Sequence, residues 1–368
     1  MSNVIRLGDY ITEISEKTTV NNQHMVLTSS QEGIVSQDDY FNKQVASKDN
    51  TGYKIIRRGQ FTYRAMSDTG RFYINRLTDY DIGIVSPAYP VFELRTNGQI
   101  LPEYLQEYFH SEHFQNAITL SSTGSTRVSL KLAKIADLRI DIPTLPKQQC
   151  AVQAISHVNH LISMQNSSAA KLDQLVKSRF VEMFGAPITN KMGWPCLSLV
   201  KTCKAILGGG TPSKSHPEYF TGGIPWVSPK DMKYAVISDS IDHITEEAVA
   251  HSTTNLVPKN SVLMVIRSGI LKHTLPVAIN SVPVTINQDM KAFVPGNGVI
   301  TEFLMYYFKA IESDVLAGVR GVTADNIDFK AFQQRTIIVP PLELQNRFAA
   351  FVAEVDKSKL SYEMEVAA

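Results

Sequence analysis

Hydrophobic positions recur at helical spacing over one long stretch. From 147 to 184 the chain has neither Gly nor Pro, and Val152, Ile155, Val158, Ile162, Leu172, Leu175, Val176, Arg179 and Met183 fall along one stripe, interrupted by polar positions 165–168. So narrow a stripe on so long a helix predicts packing against another helix, as in a coiled coil. At 1.5 Å per residue it would reach about 55 Å. A second such helix is predicted over 343–366, with Phe348, Phe351, Val352 and Val355 on its apolar side. Ahead of the long helix, IIRRGQFTYRAM, RFYINRL and DIGIVSPAYPVFEL carry the β-branched and aromatic enrichment of strands, with Gly, Pro and Asp between them. PEYLQEYFHSEHFQNAI predicts one helix through Leu105, Phe109 and Phe114, and DLRIDIP a strand closed by proline. The order is that of an α+β fold, not a doubly wound sheet.

The same order occurs twice. GSTRVSLKLAKIADLRIDIPTLPKQQCAVQAISHV, from Gly124, aligns without a gap on GVTADNIDFKAFQQRTIIVPPLELQNRFAAFVAEV, from Gly321, at an offset of 197. Thr126 meets Thr323, Ile140 meets Ile337, Ile142-Pro143 meets Val339-Pro340, and Gln148 meets Gln345. Upstream, with small slips, NGQILPEYLQEYF from Asn97 resembles NGVITEFLMYYF from Asn297, and Phe92 falls opposite Phe293. The repeat predicts two similar mixed domains, 1–145 and 187–341, with a central helix over 146–186 and a shorter terminal helix over 342–368. The expected architecture is two α/β-mixed domains joined by long helices that form an antiparallel coiled coil.

Composition narrows the function. Of 368 residues 43% are hydrophobic, as in an ordinary globular protein, and 36 Lys+Arg against 35 Asp+Glu leave a net charge of +1. Any preference for nucleic acid must therefore be local. Three cysteines, Cys150, Cys196 and Cys203, with no CxxC pair, fit a reducing compartment and no disulfide framework. The first twenty residues have no apolar core of a leader, and no run approaches eighteen apolar residues, so a cytoplasmic protein with no membrane contact is expected.

Residues 208–232, GGGTPSKSHPEYFTGGIPWVSPKDM, resemble a phosphate loop at a glance. The second glycine of G-x-x-x-x-G-K-[ST] is Ser213, however, and Pro217 begins a loop-like run where a helix should follow. A stiff surface loop anchored by Tyr219 and Trp226 fits better, presenting Ser213, Lys214, Ser215, Lys230 and Lys233 to phosphate oxygens or base edges. In the first copy Lys54, Arg57, Arg58, Arg64, Arg71 and Arg76 interleave with Tyr53, Phe61, Tyr63, Phe72 and Tyr73, a pattern suited to a groove-tracking surface. The bland alternative is a solvated strand face over core aromatics. The matching region of the second copy holds Arg267, Ser268 and Lys272 around Gly269. His110 with His113, and His157 with His160, stand at i, i+3 without a third ligand nearby, so no metal site is expected. No G-x-S-x-G or H-E-x-x-H motif occurs, and the one Pro-Pro, Pro340-Pro341, lacks the Asn/Asp and aromatic flanks of an amino-methyltransferase loop. The residues alone leave open a stand-alone nuclease or methyltransferase, and a helical scaffold that binds only protein.

As a set, these motifs resemble the specificity (S) subunit of type I restriction-modification systems over essentially the whole chain. GGGTPSKSHPEYFTGGIPWVSPKDM looks like the opening of a target-recognition domain in that family. IPTLPKQQCAVQAI and VPPLELQNRFAAFV look like the starts of its two spacer helices, and KLDQLVKSRFVEMFG like the end of the central one. The resemblance implies a non-catalytic subunit in which each domain recognises one half of a bipartite, asymmetric double-stranded DNA sequence. Partners follow from it: modification subunits, two of them, and restriction subunits. S-adenosylmethionine, ATP and Mg belong to those partners, with none bound by this chain. Candidate DNA contacts are Arg57, Arg58, Tyr63, Arg64, Arg71, Tyr73 and Arg76 in the first copy. In the second they are Ser213, Lys214, Ser215, Lys230, Lys233, Arg267, Ser268 and Lys272. Leu161, Leu172, Leu175, Arg179, Phe180, Phe348, Phe351 and Val355 are expected on the subunit-docking helices. Two departures stand out. The first domain lacks the GxTP and GGIPW signatures, and the final helix is short, since the counterpart of Phe184 would fall at position 381, 13 residues past Ala368.

Overall fold

The computed structural model describes residues 3–40, 49–95, 98–119, 128–296, 298–319 and 325–367. The repeat signatures Asn97, Gly124, Thr126, Asn297, Gly321 and Thr323 lie outside the described residues. The chain divides into two compact units, Met1–Leu161 and Ile162–Ala368. Each is α+β.

In the first unit, Asn3–Arg6 pairs antiparallel with Arg139–Ile142, which Pro143 ends. A four-stranded sheet runs in the order Ile11–Ile14, Val91–Leu94, Phe61–Thr62, Asn75–Arg76. Two further antiparallel pairs flank it in sequence: the hairpin Leu27–Ser30 with Gly33–Ser36, and Lys54–Arg57 with Ile82–Val85. Phe61 and Phe92 stack at 5.3 Å, and Phe109 meets both edge-on at 6.0 and 6.1 Å. All three are fully buried, so the sheet and the first turn of helices share one aromatic core. The helix expected as one piece is two, Pro102–His110 and Glu112–Thr119. Ser111 between them is extended (φ −70°, ψ 147°), and its hydroxyl donates to Tyr108 O and accepts from Phe114 N–H, so it caps the second helix. RFYINRL contributes only the two-residue strand Asn75–Arg76.

The second unit repeats the plan on a larger scale. Cys196–Ser198 pairs with Thr336–Ile338. A five-stranded sheet runs Cys203–Gly208, Met290–Pro295, Val262–Val265, Val277–Asn280, Val236–Ile237. A three-stranded sheet holds His243–Ile244, Ile224–Val227 and Thr285–Ile286, and Thr301–Ala310 and Glu312–Ala317 follow as helices. Phe293 and Phe308, the counterparts of Phe92 and Phe109, pack at 4.9 Å.

The duplication is sharpest where each long helix leaves its unit. Gln148 and Gln345 are both fully buried. Gln148 Oε1 accepts from Leu101 N–H at 2.8 Å, and Nε2 donates to Gln99 O and Pro143 O, each at 2.8 Å. Gln345 Oε1 accepts from Ile300 N–H at 3.0 Å, and Nε2 donates to Gly298 O at 2.8 Å and Pro340 O at 2.7 Å. One amide thus satisfies three main-chain groups in each copy, joining the end of a strand, the loop before a helix and the start of the next helix. Gly98 and Gly298 take left-handed φ values of +69° and +86° in those loops, which explains glycine at both places.

The central helix runs Leu145–Phe184, with Pro146 tolerated in its first turn. The terminal helix runs Leu342–Ala367. Phe180 and Phe184 pack on Phe348 and Phe303 at centroid distances of 5.0 to 5.6 Å. Farther along, Lys359 Nζ donates to Asp173 Oδ1 at 2.6 Å.

Candidate nucleic-acid interface

The loop at 208–232 owes its glycines to packing. A Cβ on Gly209 would lie 2.0 Å from Asn287 O, and one on Gly222 would lie 2.1 Å from Ile244 O. These glycines let main chains approach one another, and do not wrap a phosphate. Trp226 Nε1 donates to Gly210 O at 3.0 Å, while buried Tyr219 stacks on His216 at 4.9 Å. Pro217–Phe220 is a single 3-10 turn, too short to serve as the helix of a phosphate loop. The anchored loop leaves Lys214 exposed without a side-chain partner among the described residues, and the Ser213 and Ser215 hydroxyls share a hydrogen bond of 2.7 Å. Lys230 donates to Asp242 at 2.6 Å, and that hydrogen bond raises its pKa. Lys233 is exposed, and so is Tyr234, at 75%, an aromatic that no motif singled out.

On the same unit Arg267 is held by Asp289 at 2.6 Å. Asp289 is itself fixed by Asn287, whose Nδ2 donates to Asp289 Oδ2 at 3.0 Å and whose Oδ1 accepts from Asp289 N–H at 3.1 Å. The guanidinium is therefore held in place while still half-exposed. Ser268 caps the turn Gly269–Lys272 by accepting from Ile270 N–H, and Lys272 lies 3.8 Å from Asp325.

In the first unit the interleaved basic and aromatic residues separate. Phe61, Tyr63 and Phe72 are core. Tyr63 is a correction to the sequence reading: its ring has no exposed surface, its hydroxyl donates to Leu130 O at 3.1 Å, and burial raises its pKa. It cannot touch DNA in the folded unit. Arg57 is bound to Glu16, whose carboxyl the hydrogen bond holds below its ordinary pKa, and Arg58 donates to Asp81 at 2.8 Å. Arg76 reaches Glu103 at 2.6 Å and is largely covered. Arg64, Arg71 and Tyr73 stand elsewhere, on a cleft of about 490 Å³. Gln31, Gln37 and Tyr89 line that cleft too: Gln31 from the turn of the hairpin Leu27–Ser30/Gly33–Ser36, Gln37 from the short helix Gln37–Tyr40 that follows it, and Tyr89 from the turn before Val91–Leu94. Arg71 is paired with Glu112; Arg64 is exposed and without a partner among the described residues.

The helices need a correction as well. Phe180, Phe348 and Val355 are buried in the second unit's own core, so they offer no surface to a partner. Leu172 and Phe351 are partly buried against that core, and Arg179 sits 5.8 Å over the Phe351 ring. Leu161 and Leu175 remain exposed, at 39% and 48%. Cys203 is a buried thiol whose pKa burial pushes up to about 11, which removes it as a nucleophile at neutral pH. Among the described residues, no group of three or more His, Cys, Asp or Glu side chains is placed to hold a metal ion. No helix of the described residues is long and apolar enough to cross a membrane.

Residues 201–365 match the model of the type I restriction modification DNA specificity domain. That stretch contains the loop, Arg267 and most of the terminal helix. The chain is 41% identical over 152 residues, 40% of its length, to the specificity subunit of the type I restriction enzyme EcoR124I/EcoR124II of Escherichia coli. It is 33% identical over 162 residues, 43% of its length, to the MjaIX specificity subunit of Methanocaldococcus jannaschii. Residues 201–365 are thus similar to the DNA specificity domain of type I restriction-modification systems. The matches span 38% and 37% of the lengths of those two relatives. A chain from a structure concerned with complex assembly and conformational transition of the type I R-M system shares the fold, with a TM-score of 0.58 at 18% identity, covering 100% of this chain and 93% of that one. The matched stretch is the one with the anchored glycine loop. The cleft with Arg64, in contrast, lies ahead of residue 201, outside the family-model match.

Proposed function

We propose that this chain is the DNA-recognition subunit of a type I restriction-modification complex, each mixed domain reading one half of a bipartite, asymmetric target. The family match over 201–365 carries this reading, because it includes the stiff loop and the braced Arg267. In this account the domains are 1–145 and 187–341, and 146–186 and 342–368 act as spacer helices. The helices pair as an antiparallel coiled coil. Support comes from two contacts made in opposite chain order: Phe180 with Phe348, and Asp173 with Lys359. Half-sites on one face of B-DNA lie about 34 Å apart per turn, so a fixed helix pair acts as the ruler between them.

The chain is proposed to be non-catalytic. Methyl transfer from S-adenosylmethionine belongs to two modification subunits docked on the helices, and ATP- and Mg-dependent work to restriction subunits. Lys214, Lys233 and Arg267 are the proposed contacts of the second domain, Arg267 for a guanine edge or a phosphate.

The test is to map methylated adenines in cells carrying the chain with its modification subunits. A bipartite motif is expected, and inserting a few residues within the central helix should change the gap while leaving both half-sites alone. Altered half-site bases with an unchanged gap would refute the ruler. A purified chain that alone transfers methyl groups or cuts DNA would establish the enzyme reading instead. No salt-dependent DNA affinity in the assembled complex would leave only a protein scaffold.

A further inference from the structure

The cleft of the first unit carries an observation that the ion pairs do not explain. Gln37 Oε1 is buried on its lining and has no hydrogen-bond partner among the described residues. Buried acceptors are nearly always paired, so a group that fills this place must bring a donor. Two more planar polar groups share the lining. Gln31 sits exposed at the tip of a two-residue hairpin turn, its Oε1 accepting from the Tyr73 hydroxyl at 3.4 Å, which leaves its NH2 to donate. Arg64 is exposed, and unpaired among the described residues. Tyr89 stands beside them, its hydroxyl 3.1 Å from Thr28 Oγ1.

The charge on the lining decides what the cleft takes. Arg71 is neutralised by Glu112, and Asp68 adds a carboxylate to the same wall. A groove built to follow phosphates concentrates unpaired cations, and among the described residues this one has a single free guanidinium. Donors and acceptors in alternation suit base edges: glutamine amides pair with adenine, guanidinium with guanine, and an amide oxygen accepts from an exocyclic amine.

We propose that the first unit reads its half-site with this cleft. Gln37 Oε1 accepts from the exocyclic amine of an adenine or cytosine, and Gln31 and Arg64 engage neighbouring base edges. The Arg57–Arg58 edge, spent on Glu16 and Asp81, is not the reading surface. The inference rests on the DNA-recognition role proposed above.

The experiment uses the full chain assembled with its modification subunits, and reads both the methylated motif in cells and the affinity for a duplex carrying it. Gln37→Leu and Arg64→Ala are each expected to lower affinity about tenfold or more and to relax one or two base positions of one half-site, the other half and the gap being unchanged. Gln31→Leu, at an exposed turn, carries the same test should Gln37→Leu prevent folding. Arg58→Ala is expected to leave the motif as it is. If the wild-type complex has no salt-dependent affinity for DNA, the recognition role falls and takes the cleft with it. If the wild type binds and methylates a defined motif that Gln31→Leu and Arg64→Ala leave intact in sequence and affinity, the cleft alone is overturned.

Discussion

At the offset of 197, Ala151, Ile155 and Val158 in the first unit stand opposite Phe348, Val352 and Val355 in the second. Ile155 and Val158 expose 37% and 51% of their surface, whereas Val352 and Val355 expose 5% and 6%. Three residues before Phe348 and its counterpart Ala151, the start of each helix is fixed in the same way, by the amides of Gln345 and Gln148. The two copies therefore share the joint and differ in what the helix lies against. In the second unit the end of the central helix supplies Val176, Phe180 and Phe184 as a cover. Among the described residues nothing plays that part for Ile155 and Val158. The joint is a property of the repeat, made wholly from groups of one copy even where they stand 49 residues apart; the burial depends on a second helix arriving from elsewhere.

The comparison breaks most sharply at the aromatic cluster. Phe348→Ala removes a fully buried ring that touches Phe180, Phe184 and Tyr306, and should cost the second unit about 3–5 kcal/mol in denaturant unfolding. Val158→Ala, on the matching stripe of the first unit, should stay within about 0.5 kcal/mol of the parent. Equal losses at the two sites would mean that the first stripe is covered in solution as well.

Next in size are the joints. Gln148→Leu and Gln345→Leu each leave one N–H and two carbonyls without their amide partner. Each should cost about 1–3 kcal/mol, by similar amounts in the two units. Thermal or urea unfolding of the paired variants checks this, and hydrogen exchange at Leu101 and Ile300 N–H should rise in its own variant only. A loss at one glutamine and none at the other would show that the matched geometry hides unequal loads.

Much of this was legible beforehand for a physical reason. The absence of Gly and Pro over 147–184 left helix as the only continuous structure, and the duplicated aliphatic-Pro and Gln spacing placed both joints. The Ser111 break was not legible, because it depends on a hydroxyl capping a helix that the apolar spacing runs straight through. Tyr63 was not separable by strand alternation, because the strand ends at Thr62 and Phe61, Thr62 and Tyr63 are all buried. Counting basic and aromatic residues without their faces mixed core with surface. The cleft escaped altogether: Gln31, Gln37, Arg64 and Tyr89 come from separate turns, a short helix and a loop, and only the pairing of the strands between them brings them to one wall.

The smallest effect separates the two units by how they use arginine. Arg58 and Asp81 form an exposed pair, with 54% and 88% of each side chain open to water. Solvent screens such a pair, and the cost of ordering two mobile side chains offsets most of the attraction. Arg267 is similarly open, but its partner Asp289 exposes 22% and is already held by Asn287 at both oxygen and main chain. Less order remains to be imposed when that bond forms. Double-mutant cycles should therefore give a coupling near 0.2 kcal/mol for Arg58–Asp81 and closer to about 1 kcal/mol for Arg267–Asp289. Asn287→Ala should lower the second value toward the first. If it does not, Asp289 is rigid for some other reason, and the second unit holds its arginine no more deliberately than the first.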